Sequence, residues 1–409
     1  MLDLGQETER LLKWLGEFGK DSDGGVSRFL YTPEWVEAQR ALELLMKDEE
    51  FTVQYDDVGN LYGRLEGTTY KDETILTGSH VDTVKNGGLY DGQYGIIAGI
   101  VVMKYLKEKY GQPLRNIEVV SMAEEEGSRF PYVFWGVKNI FGIAKREDVE
   151  DITDAKGIPF VEAMRNAGFN FRKEDSKIRN DIKAFIEAHV EQGGVLEIEK
   201  KSVGVVANIV GQRRFNIEVK GEANHAGTTP MGYRKDAVYV SSLIVNSIMD
   251  MAKKYSDPLV ATVGKIEVKP NIVNVVPGNA LFTLDVRHTH KDILVKFTEE
   301  VTAKMKEIAS ETGVEIKVDM WMDADPVPMD PVLVQAVKEQ CDKNGLNYKM
   351  MHSGAGHDSQ IMAQFVPTAM LFVPSHKGIS HSPLEYTEPR DLGEGVKALI
   401  GAIYELAYK

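Results

Sequence analysis

The chain has 409 residues, a formal net charge of -14, 43% hydrophobic residues and one cysteine. That length exceeds one ordinary core and predicts two domains, while the acidic balance argues against nucleic acid or an anionic membrane surface as a partner. Cys341 alone cannot form an intrachain disulfide, which fits a reducing cytosol, and the longest apolar run, Ile96 to Met103, is far too short to span a bilayer.

Met1 to Lys20 is amphipathic with mixed charge and no apolar stretch, and reads as a docking helix rather than a signal or transit peptide. Thr74-Ile-Leu-Thr77 predicts a short buried strand that ends at Gly78-Ser79-His80. Tyr94 to Lys109 has helical periodicity and stops at Tyr110-Gly111, and Asn116 to Met122 is a second strand running into Glu124–Glu126. Lys183 to His189 repeats the arrangement. This alternation predicts an α/β fold, a mixed sheet with a large parallel component flanked by helices. The chemically interesting residues fall just beyond the carboxyl ends of its strands, where open α/β sheets place their sites.

The pattern changes near Arg213. Arg214 to Lys220 alternates as a half-exposed strand, Tyr233 to Tyr255 reads as a long amphipathic helix, and Val260 to Val268 and Ala280 to Arg287 alternate again. Lys291 to Thr312 is a second helix and Val314 to Trp321 a last strand. The order β-α-β-β-α-β is that of a ferredoxin-like unit. We therefore expect a catalytic domain made of residues 1–212 and 330–409, interrupted by an inserted domain at 213–329. Cys341 lies in a helical stretch, Pro331 to Asn344, and is read as structural.

Five residues in distinctive settings could hold metal: His80, Asp91, Glu126, His189 and His381. His80 and Asp82 form His-x-Asp at a strand end, a spacing at which Asp82 can accept a hydrogen bond from the second ring nitrogen and fix the tautomer. Asp91 follows in a loop with Gly87, Gly88, Gly92 and Gly95, which can bring a carboxylate between two cations. Glu124, Glu125 and Glu126 are adjacent carboxylates after an apolar strand; they repel, and a dication would compensate them. We read Glu126 as the ligand and Glu125 as the general base, the division of labour expected of two-metal hydrolysis.

The inserted segment carries a second set. Arg287 can clamp a substrate carboxylate bidentately, Asn274 can add an amide donor, and His225 can donate to an oxygen that becomes negative in a tetrahedral intermediate. Gln192 and Arg213 flank the junction and could supply further polar contacts. His352 and His357 lie in a glycine-rich loop and are assigned no metal; His288, His290 and His376 read as surface or capping residues. No Gly-x-Ser-x-Gly elbow, Walker A loop or Gly-x-Gly-x-x-Gly fingerprint occurs.

The order His80-x-Asp82, Asp91-Gly92, Glu125-Glu126-Gly127, His189, His381 resembles the M20 metallopeptidase superfamily. Glu-x-His189-x-Glu-Gln192-Gly and Ser-Gly-Ala-Gly-His357-Asp358 are similar to its amidase/hydantoinase/carbamoylase branch. The resemblance implies a zinc-exopeptidase-like catalytic domain. It also implies that His80, Asp91 and His189 hold one divalent ion and Asp91, Glu126 and His381 the other, with Asp91 shared and Glu125 as base. Manganese is the first expectation; zinc, cobalt and nickel are alternatives. Gln192, His225, Asn274 and Arg287 match the branch's substrate-binding positions, and the Gly211-Gln-Arg-Arg214 segment adds Arg213. Ala188 and Gly194 depart from the usual pattern by being small beside the site. The implied activity is hydrolysis of a ureido C–N bond in a small substrate, allantoate, by a cytosolic homodimer that pairs through the inserted domain. An N-carbamoyl-L-amino acid is the alternative substrate.

Overall fold

The computed structural model describes residues 3–173 and 178–409; Met1 and Leu2 of the expected docking helix lie outside them. The chain divides into two compact units, Met1–Ala207 with Met329–Lys409, and Asn208–Pro328.

The larger unit is built on a mixed sheet. Its order is Thr52–Tyr55, Leu61–Leu65, Arg115–Met122, Tyr70–His80, Ile182–Val190, Thr368–Val373, Val203–Ile209, with Tyr348–Ser353 also paired to Val203–Ile209. The middle of the sheet is parallel: Tyr70–His80 runs parallel to both Arg115–Met122 and Ile182–Val190, and Thr368–Val373 runs parallel to Ile182–Val190. The flanking pairs are antiparallel. Parallel strands need cover on both faces. One face is covered by a large apolar core that includes Leu12, Trp35, Ile97, Val101, Leu399 and Ile403, and the other by a smaller cluster around Leu76, Val120, Phe185 and Met362.

The helix Gln93–Tyr110 explains itself. Ile96 to Met103 is apolar on every side and wholly buried, so these two turns are core with no wet face, and the helix is exposed only in its last turn, at Glu108 to Tyr110. Burying each Ile or Val there contributes about 1.5–3 kcal/mol, and Ile97→Ala would cost about 2–5 kcal/mol. Its first residue follows Gly92, whose φ of +73° and closeness to the His80 ring leave no room for a Cβ. The loop before it therefore delivers Asp91 to the ends of the central strands. The strand Tyr70–His80 starts earlier than its apolar stretch implies, because its first three residues, Tyr70 to Asp72, are exposed. No helix among the described residues is long and apolar enough to cross a membrane.

The smaller unit has a five-stranded sheet in the order Ile266–Lys269, Asn279–His288, Gly211–Lys220, Glu315–Ala324, with Val260–Thr262 also paired to Asn279–His288, and a separate two-stranded ladder of Asn224–His225 with Val275–Val276. All of these pairs are antiparallel. The helices Ala237–Ala252 and Lys291–Thr312 pack on the face formed by Phe215, Ile217, Val219, Phe282, Leu284 and Val286. Two details correct the sequence reading. The first helix begins at Ala237 rather than Tyr233, because Asp236 caps it by accepting the Val238 and Tyr239 N–H groups, and Met231–Tyr233 forms a separate single turn. The expected strand Val260 to Val268 is two short strands broken around Gly264.

Candidate metal centre

The sheet places His80 at the end of one central strand, Glu124–Glu126 beyond its neighbour, and His189 one residue before the end of the next. Asp91 is delivered by the loop before the core helix, and His381 by the loop after the strand Thr368–Val373. The Asp91 carboxylate is the meeting point. Its Oδ1 lies 3.6 Å from His80 Nε2 and 3.3 Å from His189 Nε2, and its Oδ2 lies 3.2 Å from His381 Nε2. Glu126 Oε1 is 3.5 Å from the same His381 nitrogen. Two sets of ligand atoms therefore gather within 4.8 Å of one another: His80, Asp91 and His189, and Asp91, Glu126 and His381.

Hydrogen bonds orient these rings. His189 Nδ1 donates to the Val190 carbonyl at 2.9 Å, which leaves Nε2 as the inward lone pair. His80 Nδ1 lies 3.1 Å from the Asp82 carbonyl oxygen and 3.3 Å from Asp82 Oδ1. His80 and His189 are buried, whereas the His381 side chain is 48% exposed and stands at the open side of the group.

The charges pull on one another strongly. Burial pushes Asp91 up, but three imidazoles carry it well below the usual carboxylate range. Burial pushes His80 and His189 down, and their carboxylate neighbours raise both above the ordinary value. His381 is pushed up to about 9, first by its contact with Asp91. Burial and the neighbouring Asp91 charge raise Glu126 to about 7, and burial holds Glu125 well above its usual value. Imidazole nitrogens and carboxylate oxygens this close, with excess negative charge among them, are a donor set that fits divalent cations.

The acidic run resolves into distinct parts. Glu124 turns inward and accepts the N–H groups of Gly127 and Trp135, so it holds the turn. Glu125 and Glu126 are presented to the cluster, and ligand atoms of His80, Glu125 and Glu126 also lie within 4.8 Å of one another. A further group, Glu187, His189 and His357, is close enough for a metal. Glu187 is already occupied by Ser79 Oγ at 2.7 Å and by Ser359 N and Oγ at 3.2 and 2.5 Å. His357 packs on His189 with ring centroids 4.6 Å apart, and burial drives its pKa well below the ordinary value, so it is a neutral wall of the site.

Gln192, expected to touch substrate, has its amide on the cluster: Nε2 donates to Asp91 Oδ2 at 2.8 Å. Its φ of +56° is a left-handed conformation, the kind of local strain that clusters at functional sites.

In the smaller unit, His225 and Asn274 come together on a two-stranded ladder: His225 pairs with Val275, and Ala226 N–H donates to the Asn274 carbonyl. His225 Nδ1 accepts the Gly227 N–H at 3.0 Å, which leaves Nε2 as an exposed donor. Arg287 is held by Asp285 through Nε at 2.9 Å and Nη2 at 3.0 Å, and Arg214 Nε donates to the same carboxylate at 2.8 Å. Arg213 behaves differently from its expected role. Strand alternation turns it to the helix-covered face with Phe215 and Ile217, where Asp323 grips it at 2.8 and 2.9 Å and Thr298 Oγ1 accepts from it at 2.7 Å. Arg214 is the arginine on the open face, over the Trp321 ring. His288, read as a surface or capping residue, is buried and accepts the His290 N–H.

A sheet with a parallel centre, carrying His and carboxylate donors at adjoining strand ends, is an arrangement that suits a hydrolase with a divalent-metal site, and comparison with known proteins places it. The chain belongs to the peptidase family M20/M25/M40, whose sequence profile matches residues 76–405. It is 53% identical over 404 residues to the allantoate amidohydrolase of Escherichia coli strain K12, covering 99% of this chain and 98% of that one. It is 45% identical over 397 residues to the allantoate amidohydrolase of Bacillus subtilis strain 168, covering 97% and 96%. Identity is 36% over 398 residues, 96% and 97% of the two chains, to the N-carbamoyl-L-amino-acid amidohydrolase of Paenarthrobacter aurescens. Among solved structures, an amidase of the hydantoinase/carbamoylase family from Burkholderia multivorans superposes with a TM-score of 0.93 at 32% identity, covering 99% of this chain and 98% of that chain.

Proposed function

We propose that this chain hydrolyses a ureido C–N bond of allantoate, giving ureidoglycine, ammonia and carbon dioxide as a step in the breakdown of purine-derived allantoin. The observation that carries the reading is the Asp91 carboxylate set among three imidazoles, with Glu126 and Glu125 on the adjoining strand end. The much higher identity to the two allantoate amidohydrolases than to the carbamoyl amino acid hydrolase supports the substrate.

In this reading His80, Asp91 and His189 hold one divalent ion, and Asp91, Glu126 and His381 hold a second; manganese is the proposed metal, with zinc, cobalt or nickel able to replace it. Such ions polarise a carbonyl and make water a stronger acid at neutral pH. Glu125 takes a proton from the attacking water and returns it to the leaving nitrogen, so burial and negative neighbours that raise its pKa suit both halves of the task. Asp82 keeps His80 in one tautomer. Gln192 orients Asp91. His225, with Nε2 as its free donor, stabilises the negative oxygen, and Asn274 and Arg287 hold the substrate carboxylate. Arg213 is bound to Asp323 and Thr298, so the part of a second cation falls to Arg214. The protein is proposed to act in the cytoplasm as a homodimer.

The test is ammonia release by manganese-loaded protein given allantoate or N-carbamoyl-L-methionine at equal concentration. Preference for allantoate is expected. Preference for the carbamoyl amino acid would keep the chemistry and overturn the substrate, and activity on neither would overturn the reading.

A further inference from the structure

Glu385 is a buried carboxylate that the reaction outlined above does not use; 5% of its surface is exposed. Its Oε2 accepts the backbone N–H of Tyr90 at 2.9 Å and of Asp91 at 3.1 Å, across nearly three hundred residues of sequence. Its Oε1 is 2.8 Å from Ser380 Oγ, and that hydroxyl is also 3.0 Å from Asp91 Oδ2. Ser380 immediately precedes His381, which holds a left-handed φ of +53°. One carboxylate thus ties together two loops that each carry a candidate ligand, and it reaches the backbone of one and the side-chain hydroxyl of the other.

The loop is shaped to admit it. A Cβ at Gly88 would collide with the Glu385 carboxylate, so only glycine lets the chain pass this closely. Both N–H groups that Glu385 accepts are buried with it, and an acceptor lost there leaves two donors unpaired. Nothing else described in the structure bonds the Asp91 N–H.

We propose that Glu385 is a positioning residue for the metal centre: it sets the Asp91 loop against the His381 loop so that both ligands face one ion. The inference rests on the proposed function for the existence of that ion, but its direct readout is the geometry of two loops. Without Glu385, Asp91 and His381 still exist, but the loops that present them are no longer pinned at one separation. Affinity for the second ion, which needs residues from both loops, falls further than affinity for the first, which needs only Asp91 from this pair.

The experiment compares wild type with Glu385→Gln and Glu385→Ala. Metal-free protein is followed by amide hydrogen exchange over residues 87–93, and manganese binding by titration with stoichiometry checked by elemental analysis. Faster exchange in that segment in Glu385→Ala is expected. Affinity for one of the two ions should fall about tenfold to a hundredfold, with the smaller loss in Glu385→Gln, which keeps an acceptor for the two N–H groups. Wild-type exchange and wild-type affinity for both ions would overturn the proposal, as would an equal loss for both. If the Glu385 variants do not fold, Ser380→Ala removes the hydroxyl that meets both Glu385 Oε1 and Asp91 Oδ2 and leaves the bonds of Glu385 to the Tyr90 and Asp91 N–H groups in place; faster exchange over residues 87–93 with selective weakening of one ion supports the proposal there too, while unchanged exchange and affinity overturn it. A wild-type protein that binds manganese but ignores allantoate would defeat the functional reading and leave these comparisons intact.

Discussion

The carboxylate of Asp82 accepts the backbone N–H groups of both Glu125 and Glu126, at 3.0 and 3.1 Å. The residue that orients the His80 ring therefore also holds the proposed base and the adjoining ligand. Asp82 is buried at 1% exposure, so no water can replace it as acceptor for these two amides. Asp82→Asn keeps the shape but can offer only one acceptor oxygen to the two amides. We expect kcat to fall about tenfold to a hundredfold and metal affinity to fall with it, and stability to drop by about 1–3 kcal/mol. Steady-state kinetics, metal titration and denaturant unfolding check the three together; a change in stability alone would mean that Asp82 only supports the fold.

Replacing Glu125 by Gln separates the base from the ligands. The side chain keeps its length and Glu126 keeps its position, so two manganese ions should still bind. Turnover should fall by about 10²–10⁴ with little change in KM. Metal analysis beside kcat decides it: full turnover would remove Glu125 from the role of base, and loss of metal would make it a ligand.

What the sequence made readable follows from the physics of the two kinds of feature. His80, Glu126 and His189 were legible because apolar runs end in polar residues where parallel strands end, and those ends carry the site. The part played by Glu124 is not legible: it faces the N–H groups of Gly127 and Trp135, and backbone donors leave no mark in a residue string. Glu385 is silent in the sequence for the same reason, since its partners are amides in a distant loop. In the smaller unit the alternation of Phe215, Ile217 and Val219 already implied that Arg213 shares their face. The charge of Arg213 suggests a substrate contact, but its parity in the strand decides where it faces.

That parity leads to a test within one dipeptide. Arg213 is bound by Asp323 and Thr298, whereas Arg214 is on the open face with Asp285 and Arg287. Arg213→Ala should cost about 1 kcal/mol of stability and leave KM for allantoate within about twofold. Arg214→Ala should raise KM about tenfold or more, the loss expected when a hydrogen bond to a charged group is removed. Thermal unfolding and KM measured side by side test the assignment, and a reversal of the two patterns would return the substrate contact to Arg213.

Cys341 offers a probe of the fold that does not touch the site. It is fully buried in the helix Pro331–Lys343, and burial, with the nearby Asp342 charge, pushes its thiol up to about 12. At pH 8 the native thiolate fraction is about 10⁻⁴, too little for alkylation even without the barrier of burial. Iodoacetamide should leave the native protein unlabelled and modify it promptly in denaturant. The same shift sets a pH dependence. An unfolded cysteine titrates near about 8.5, so between there and 12 the folded chain binds more protons than the unfolded one. The stability that depends on the neutral thiol is present below pH 8.5 and is lost as pH rises through this window. Cys341→Ala should therefore start less stable than wild type at pH 7, through lost packing of about 1 kcal/mol, and the gap should close near pH 9 and change sign by pH 11, with wild type then the less stable protein. Denaturant unfolding of both proteins across that range measures the gap; one that stayed constant would mean that the thiol titrates in the fold as it does in the open chain.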